Sequence, residues 1–423
     1  MSTTIPSLLT ADSISLRPLQ TQHSKNGMPL HYVEDHSIPI CSICFAFRAG
    51  VLYEDQKLSS VFSSSMLDEG SRDLNYDTIA DYIESFGASL EKENSERFVY
   101  LKLFCLSKHA NELLRFLKKM LLNATFPEDR LSLKRQQFLQ SYRLSNSKVS
   151  SVAWKNFKKE LFGAHSSLGY IEIEKDYLDI SHEHLISFFE ERYLNAPLQI
   201  FAAGDLNKEI IAALLDYELS DASAKVQNDS PLDENAVEPT PVFKQIAMES
   251  SKVQSSIVCG LPWMSRASQE YTSAFLLITI LGGYFGSRLM KVVREEKGYT
   301  YGIQAFVRTI GSFSYMAIQA ELDQKNVEAT LQEISVQMEQ LRSERIDVEE
   351  LRRAKNYLSG IYLTQSDTVF KTMRLYRGQI LDQLDTKYFE NQYDRMMNCS
   401  AEELNEVAKK YLSPDLLTKI VAG

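Results

Sequence analysis

The residues best suited to chemistry lie in one stretch, LGGYFGSRLMKVVREEKGYTYGI, residues 281–303. Three glycines in five positions, Gly282, Gly283 and Gly286, mark a place where backbone comes close to something. Ser287 is placed to cap the helix that follows, which carries Arg288, Leu289, Val292 and Val293. Arg294 ends that helix, Gly298 turns the chain, and Tyr301 opens a strand. A glycine-rich turn before a helix suits an anion. The Lys-Ser/Thr of a nucleotide-phosphate loop is missing, however, and the spacing is not that of a dinucleotide site. What remains is a donor set: the fixed fork of a guanidinium and, seven residues on, a phenol.

A second stretch, LSSVFSSSMLDEGS at residues 58–71, reads as a helix, yet Ser59, Ser60, Ser63, Ser64 and Ser65 crowd it. Small polar groups there mean either a surface helix or a site whose chemistry is gone. Cys41 and Cys44 form a C-x-x-C in the β-rich run SIPICSICFAF. Residues three apart on a strand point to opposite faces, so two buried thiols fit better than a metal or redox pair. His182 and His184 are two apart, about 200° around a helix, and read as polar first-turn residues behind a Ser181 cap. His23, His31, His36, His109 and His165 are scattered singly.

The elements that position these residues belong to a chain of 423 residues, long enough for about two domains. A formal charge of −10 and the lack of basic runs argue against a nucleic-acid surface. No apolar run approaches the ~20 residues needed to span a bilayer. The first twenty residues have neither a basic start nor a long apolar core. These features lead us to expect a cytoplasmic protein, or one from which a leader has been removed, with its cysteines reduced.

Residues 218–241 are rich in Asp, Glu, Asn, Ser and Pro and read as an acidic surface linker. They separate an N-terminal domain, 1–217, from a C-terminal domain, 242–423. The two repeat one pattern. A helix runs into a glycine (Gly87, Gly298), two strands follow with Tyr100 and Tyr315 in matching places, and then a long amphipathic helix. Later, FPEDRLSLKRQQFL matches IDVEELRRAKNYL: an apolar residue, an acidic helix start, then a basic helix. The period-2 runs VYLKLFCL and SYMAIQAEL are strands. The expected fold class is therefore α+β: two homologous domains, each an antiparallel sheet with helices on one face.

At these residues the chain resembles the pitrilysin/insulinase-type zinc peptidases. Within them it is similar to the two-domain subunits of mitochondrial processing peptidase, the cytochrome bc1 core subunits and the bacterial paired proteases. Residues 281–303 follow the family stretch LGGGxSSRLxxxLREKxGLxYxV almost position by position. Tyr284 departs from it, replacing a common third glycine where a bulky residue would resist positive φ.

The resemblance also explains the serines. The family's H-x-x-E-H helix carries two histidines for zinc with a glutamate between them as general base. A distal glutamate completes the set. Aligned on Met66-Leu67 and Gly70-Ser71, the histidines fall on Val61 and Ser65, the glutamate on Ser64 and the distal ligand on Ser141. Neither valine nor a serine hydroxyl binds zinc at neutral pH, so no catalytic or metal residue is expected in this chain.

By the same resemblance, Arg294 and Tyr301 hold the substrate backbone near a scissile bond carried by another half. Gly282, Gly283, Gly286 and Ser287 are the accompanying substrate-binding positions. The implied partner is a homologous subunit carrying H-x-x-E-H and the zinc, with peptides as substrates in a closed chamber. The alternative is a structural or peptide-binding homologue, such as a homodimer, without proteolysis.

Overall fold

The structure is a computed structural model describing residues 13–219, 241–248 and 254–423. The linker expected at 218–241 lies mostly outside the described residues. Thirteen strands occur among them. In the first half these are β1 (Gln20–His23), β2 (Pro29–Glu34), β3 (Ile40–Phe47), β4 (Gly70–Ser71), β5 (Leu74–Asn75), β6 (Ser89–Asn94), β7 (Val99–Leu106) and β8 (Leu198–Gly204). The second half holds β9 (Phe243–Ile246), β10 (Gln254–Trp263), β11 (Thr300–Ile310), β12 (Phe313–Asp323) and β13 (Thr418–Ala422).

The first sheet has the order β1-β2-β8-β3-β7-β6 and the second β11-β12-β10-β13-β9. Read from its other end, the second sheet matches the first strand for strand, from β9 against β2 to β11 against β6. Each contains one parallel pair, β2 with β8 and β13 with β9, among antiparallel neighbours. Gly87 and Gly298 both turn their chains at positive φ, 61° and 66°. That conformation favours glycine because it has no Cβ. The fold is the expected α+β duplication, and its helices behave as the charge pattern implied. Glu128–Asn146 and Val348–Ser366 both open on acidic first turns, and Asp347 caps the second through the amides of Glu349 and Glu350.

Each sheet has one face covered by helices of its own half and the other by a helix from the opposite half. β7 alternates buried and partly exposed residues, whereas β8 is buried throughout, the mark of a strand covered on both faces. Helix Val149–Phe162 leaves the first half and packs on β10 and β13. There Phe157 and Ala153 join Val258, Tyr315 and Ile420 in one core. In exchange, helix Val369–Leu381 packs on β8 and β2. Val33, Cys44 and Phe201 of the first sheet thus share a core with Ile257, Cys259 and Met316 of the second.

A charged clamp fixes the halves. Asp382 accepts from Arg97 Nη1 at 2.8 Å and from Arg266 Nη1 at 3.0 Å, and all three side chains are largely shielded from solvent. All five cysteines are free and buried. Cys41 faces Cys105 across the strands with sulfurs 3.7 Å apart, and Cys44 lies in the other core, on the opposite face.

Candidate functional site

The serine stretch forms helix Ser59–Ser65, with Ser59, Ser60, Ser63 and Ser64 buried. It is not a surface helix. Its start is capped from outside: Glu54 accepts from the amide of Leu58 at 3.2 Å and of Ser60 at 2.8 Å. Leu58 sits at φ 69° at this cap, a conformation rare for a branched side chain.

The hydroxyls are tied to protein groups. Ser60 Oγ donates to the Ala49 carbonyl at 2.5 Å and accepts from Asn94 Nδ2 at 2.7 Å. Ser63 Oγ donates to the Ser60 carbonyl and lies 3.2 Å from the Tyr193 hydroxyl. Ser64 Oγ donates to the Val61 carbonyl at 3.0 Å and accepts from Asn94 Nδ2 at 3.1 Å. Ser65 Oγ donates to the Phe62 carbonyl at 2.8 Å. The donor set does not fit zinc: three hydroxyls, those of Ser64 and Ser65 engaged in hydrogen bonds, and an alkyl group, where the metal needs imidazole and carboxylate. Among the described residues no group of three or more His, Cys, Asp or Glu side chains could hold a metal ion. Val61 and Ser141, far apart in sequence, nevertheless line one cavity of about 650 Å³. Two of the positions aligned with the motif therefore meet in space.

The glycine stretch is built differently. Residues 279–283 continue helix Tyr271–Ile278 as a wider turn, so Gly282 and Gly283 end a helix instead of forming an open loop. A Cβ at Gly282 would stand 2.7 Å from the Cβ and backbone nitrogen of Ala305. The close approach read from the glycines is thus to strand β11. Tyr284 is extended, φ −151° and ψ 172°, so this position needs no positive φ and the bulky side chain is accommodated. Its ring stacks on Tyr357 with centroids 5.1 Å apart. Ser287 stands before the next helical turn but is 1% exposed, and its hydroxyl makes no cap bond among the described residues. The cap expected there is absent.

Arg294 lies in the turn Met290–Glu296, which precedes Gly298. Its guanidinium covers the Phe285 ring at 4.7 Å and meets Glu295 only at 4.0 Å. Among the described residues it has no nearer carboxylate. Tyr301 is turned outward by a bulge. The β11–β12 register shifts between Thr300 and Ile303. Thr300 Oγ1 holds the bulge, donating to the Glu321 carbonyl at 2.6 Å and accepting from Gly302 N at 3.1 Å. Bulges re-aim side chains in this way. Tyr301 is consequently 99% exposed.

Tyr301, Gly282 and Gly283 line a second cavity of about 610 Å³, together with Tyr284, Phe285 and Tyr357. Arg294, Gly286 and Ser287 do not line it; Arg294 connects to it through Phe285. The aromatic wall was not anticipated. Phe285 and Tyr284 stood in the quoted stretch, but Tyr357 is more than fifty residues away, and nothing local signals its stacking.

Residues 179–358 match the family described as "Peptidase M16 inactive domain". Over that segment the chain is similar to a peptidase M16 inactive domain. The resemblance to pitrilysin/insulinase-type peptidases is thereby confirmed. The matched segment contains Arg294 and Tyr301 and stops short of Val61, Ser64, Ser65 and Ser141.

The chain is similar to "Non-peptidase homolog YmxG" of Helicobacter pylori, 23% identical over 92% of this chain and 90% of that one. It is also similar to "Uncharacterized zinc protease YmxG" of Bacillus subtilis, 19% identical over 94% and 97%. The fold matches the crystal structure of a peptidase M16 inactive domain from Pseudomonas fluorescens with a TM-score of 0.86, covering 96% of this chain and 98% of that one at 21% identity. The chain is thus similar to M16 homologues over most of its length, and the positions that the resemblance aligns with H-x-x-E-H hold Val61, Ser64 and Ser65. Among the described residues no helix is long and apolar enough to cross a membrane.

Proposed function

We propose that this chain is the non-catalytic, substrate-binding subunit of a heterodimeric zinc endopeptidase acting on peptides in the cytoplasm. Its partner is a homologous chain carrying H-x-x-E-H, which brings the zinc, the general base and the activated water. This chain contributes Arg294 and Tyr301 as donors to the substrate backbone, and the cavity beside Gly282 and Gly283 as part of a closed chamber wall. The observation that carries the reading is an asymmetry. Tyr301 is thrust out by a bulge and Arg294 lacks a close carboxylate, while the positions aligned with the zinc motif hold serines engaged in internal hydrogen bonds.

Donors placed where negative charge develops are each worth about 2.7–4 kcal/mol. With the partner added, Arg294→Ala should therefore lower kcat/KM for a peptide about 100-fold or more while the complex still forms. Unchanged turnover sinks the role.

A second reading, a peptide-binding or structural homodimer without proteolysis, is favoured by the name of the Helicobacter relative, a "Non-peptidase homolog". Native mass spectrometry with metal analysis on protein purified from its own cells separates the two. One zinc per pair of different chains supports the first reading, and a zinc-free homodimer the second.

A further inference from the structure

We infer that the cavity over the lost motif is a binding site for a single carboxylate group, with Lys158 as its counter-ion. The inference goes beyond the proposed subunit role and stands whether or not a catalytic partner exists. The cavity, about 650 Å³, is walled by both halves: Val61 and Ser141 from the motif positions, Lys158 from the exchanged helix, Arg308 from β11. This volume lies within the range of small-ligand sites, ~300–1,000 Å³.

Most of its charges are matched. Lys155 pairs with Glu172 at 2.9 Å and Arg308 with Glu96 at 2.5 Å. Glu93 pairs with Lys102. Glu54 is spent on the amides of the serine helix, and Lys57 lies over the Tyr170 ring at 4.8 Å. Lys57 and Lys158 have no hydrogen bond or ion pair with any described residue, and of the two Lys57 lies over an aromatic ring.

The lysine is half-buried. Burial lowers its pKa from the usual lysine value, and Arg308 pushes the same way, against Glu96 and Glu172. A desolvated ammonium without a counter-ion is costly unless a ligand supplies one. Ser141, Tyr142 and Ser145, which line the same cavity, offer hydroxyl donors that no other described group takes up, as a carboxylate oxygen requires. The surroundings also limit the ligand's charge. With Glu96 and Glu172 acting on Lys158, a second negative charge would meet repulsion, so a monoanion fits and a phosphate dianion does not.

The carboxylate has two available sources, the C-terminus of a peptide or a free organic acid, and the test distinguishes them. In the full-length protein with isotopically dimethylated lysines, Lys158→Arg identifies the Lys158 signal by its loss. Benzoate should shift that signal, and benzamide should not. Lys158→Arg should keep benzoate affinity within about threefold, and Lys158→Met should lose about tenfold or more, with the unfolding midpoint of both variants as the control for folding. A free-acid pentapeptide that displaces benzoate where its C-terminal amide fails identifies the peptide source. Failure of both peptides, with benzoate still bound, identifies the free acid. The inference is overturned if benzoate leaves the Lys158 signal in place, binds Lys158→Met equally well, or is displaced by inorganic phosphate as readily as by acetate.

Discussion

Helix Ser59–Ser65 follows β3 just as helix Tyr271–Ile278 follows β10, and the two lie at equivalent places in a duplicated fold. The polar groups of the first helix and those that follow the second, Arg294 and Tyr301, have opposite fates. In the first half the serines turn back on their own backbone, on Asn94 and on Tyr193. Just beyond them Glu69, 2% exposed, pairs with Arg130 and with Lys134 at 2.7 Å. In the second half Tyr301 stands in solvent and Arg294 has only an aromatic face and a distant carboxylate. At the positions aligned with the zinc motif, polar side chains hold the fold. In the second half a bulge exposes Tyr301, and Arg294 lies in the helical turn before it. The difference separates residues that hold structure from residues available to a ligand, and it can be broken experimentally from either side.

The largest effect is expected at Glu69. Its removal leaves Arg130 and Lys134 without their shared buried counter-ion, and breaking such a pair from one side costs about 3 kcal/mol. Glu69→Ala should lower unfolding stability in denaturant by that amount, with Glu69→Gln intermediate. A loss below about 1 kcal/mol, the range of surface pairs, would mean that the first-half region is not the structural one.

Glu54 gives the next effect, and its sign is opposite to that of an ordinary paired carboxylate. Burial raises its pKa to about 7, against the pull of the Ser60 and Leu58 amides. The folded state therefore holds a proton that the unfolded chain releases near pH 4.5. Stabilisation from this group is complete below that pH and is lost as pH rises toward about 7. At 1.36 kcal/mol per pH unit between 4.5 and about 7, this is about 3 kcal/mol. Unfolding curves across that window should show wild type losing stability relative to Glu54→Gln, which stays neutral. The difference between the two removes the contrary contribution of His31, whose pKa burial lowers to about 4. Parallel curves would place the Glu54 carboxylate in water, outside the core that holds the serine helix.

The duplication was legible because glycine turns, period-2 strands and acidic helix starts are local signals, and each recurs in both halves. The exchange of helices was not. The apolar stripe of Val149–Phe162 says that one face is buried, but not against which sheet. The parallel pairs escaped for a related reason: β8 is a short run with no alternation to read. At the site, Val61 and Ser141 could be brought together only through the family resemblance, since nothing in a valine and a serine some eighty residues apart points to a shared cavity. Lys158 lies in WKNFKKELF, where three lysines look alike. Packing alone sorts them, giving Lys155 a partner in Glu172 and leaving Lys158 without one. Ser287 was misread as a cap because its position before a helical turn is visible in sequence, whereas its burial depends on the turn's contact with the rest of the half.

The smallest expected effect tests the other side of the comparison. A side chain 99% exposed has almost no packing to lose. Tyr301→Ala should therefore change unfolding stability by no more than about 0.5 kcal/mol, as at ordinary surface positions. Thr300→Val, by contrast, removes the hydroxyl that bonds Glu321 and Gly302 and should cost more while leaving the phenol in place. If the order is reversed and Tyr301→Ala is the more destabilising, the phenol packs on something in solution. The bulge would then be a local accommodation of the strand, not a device for presenting a side chain, and the contrast between the two halves would lose its second term.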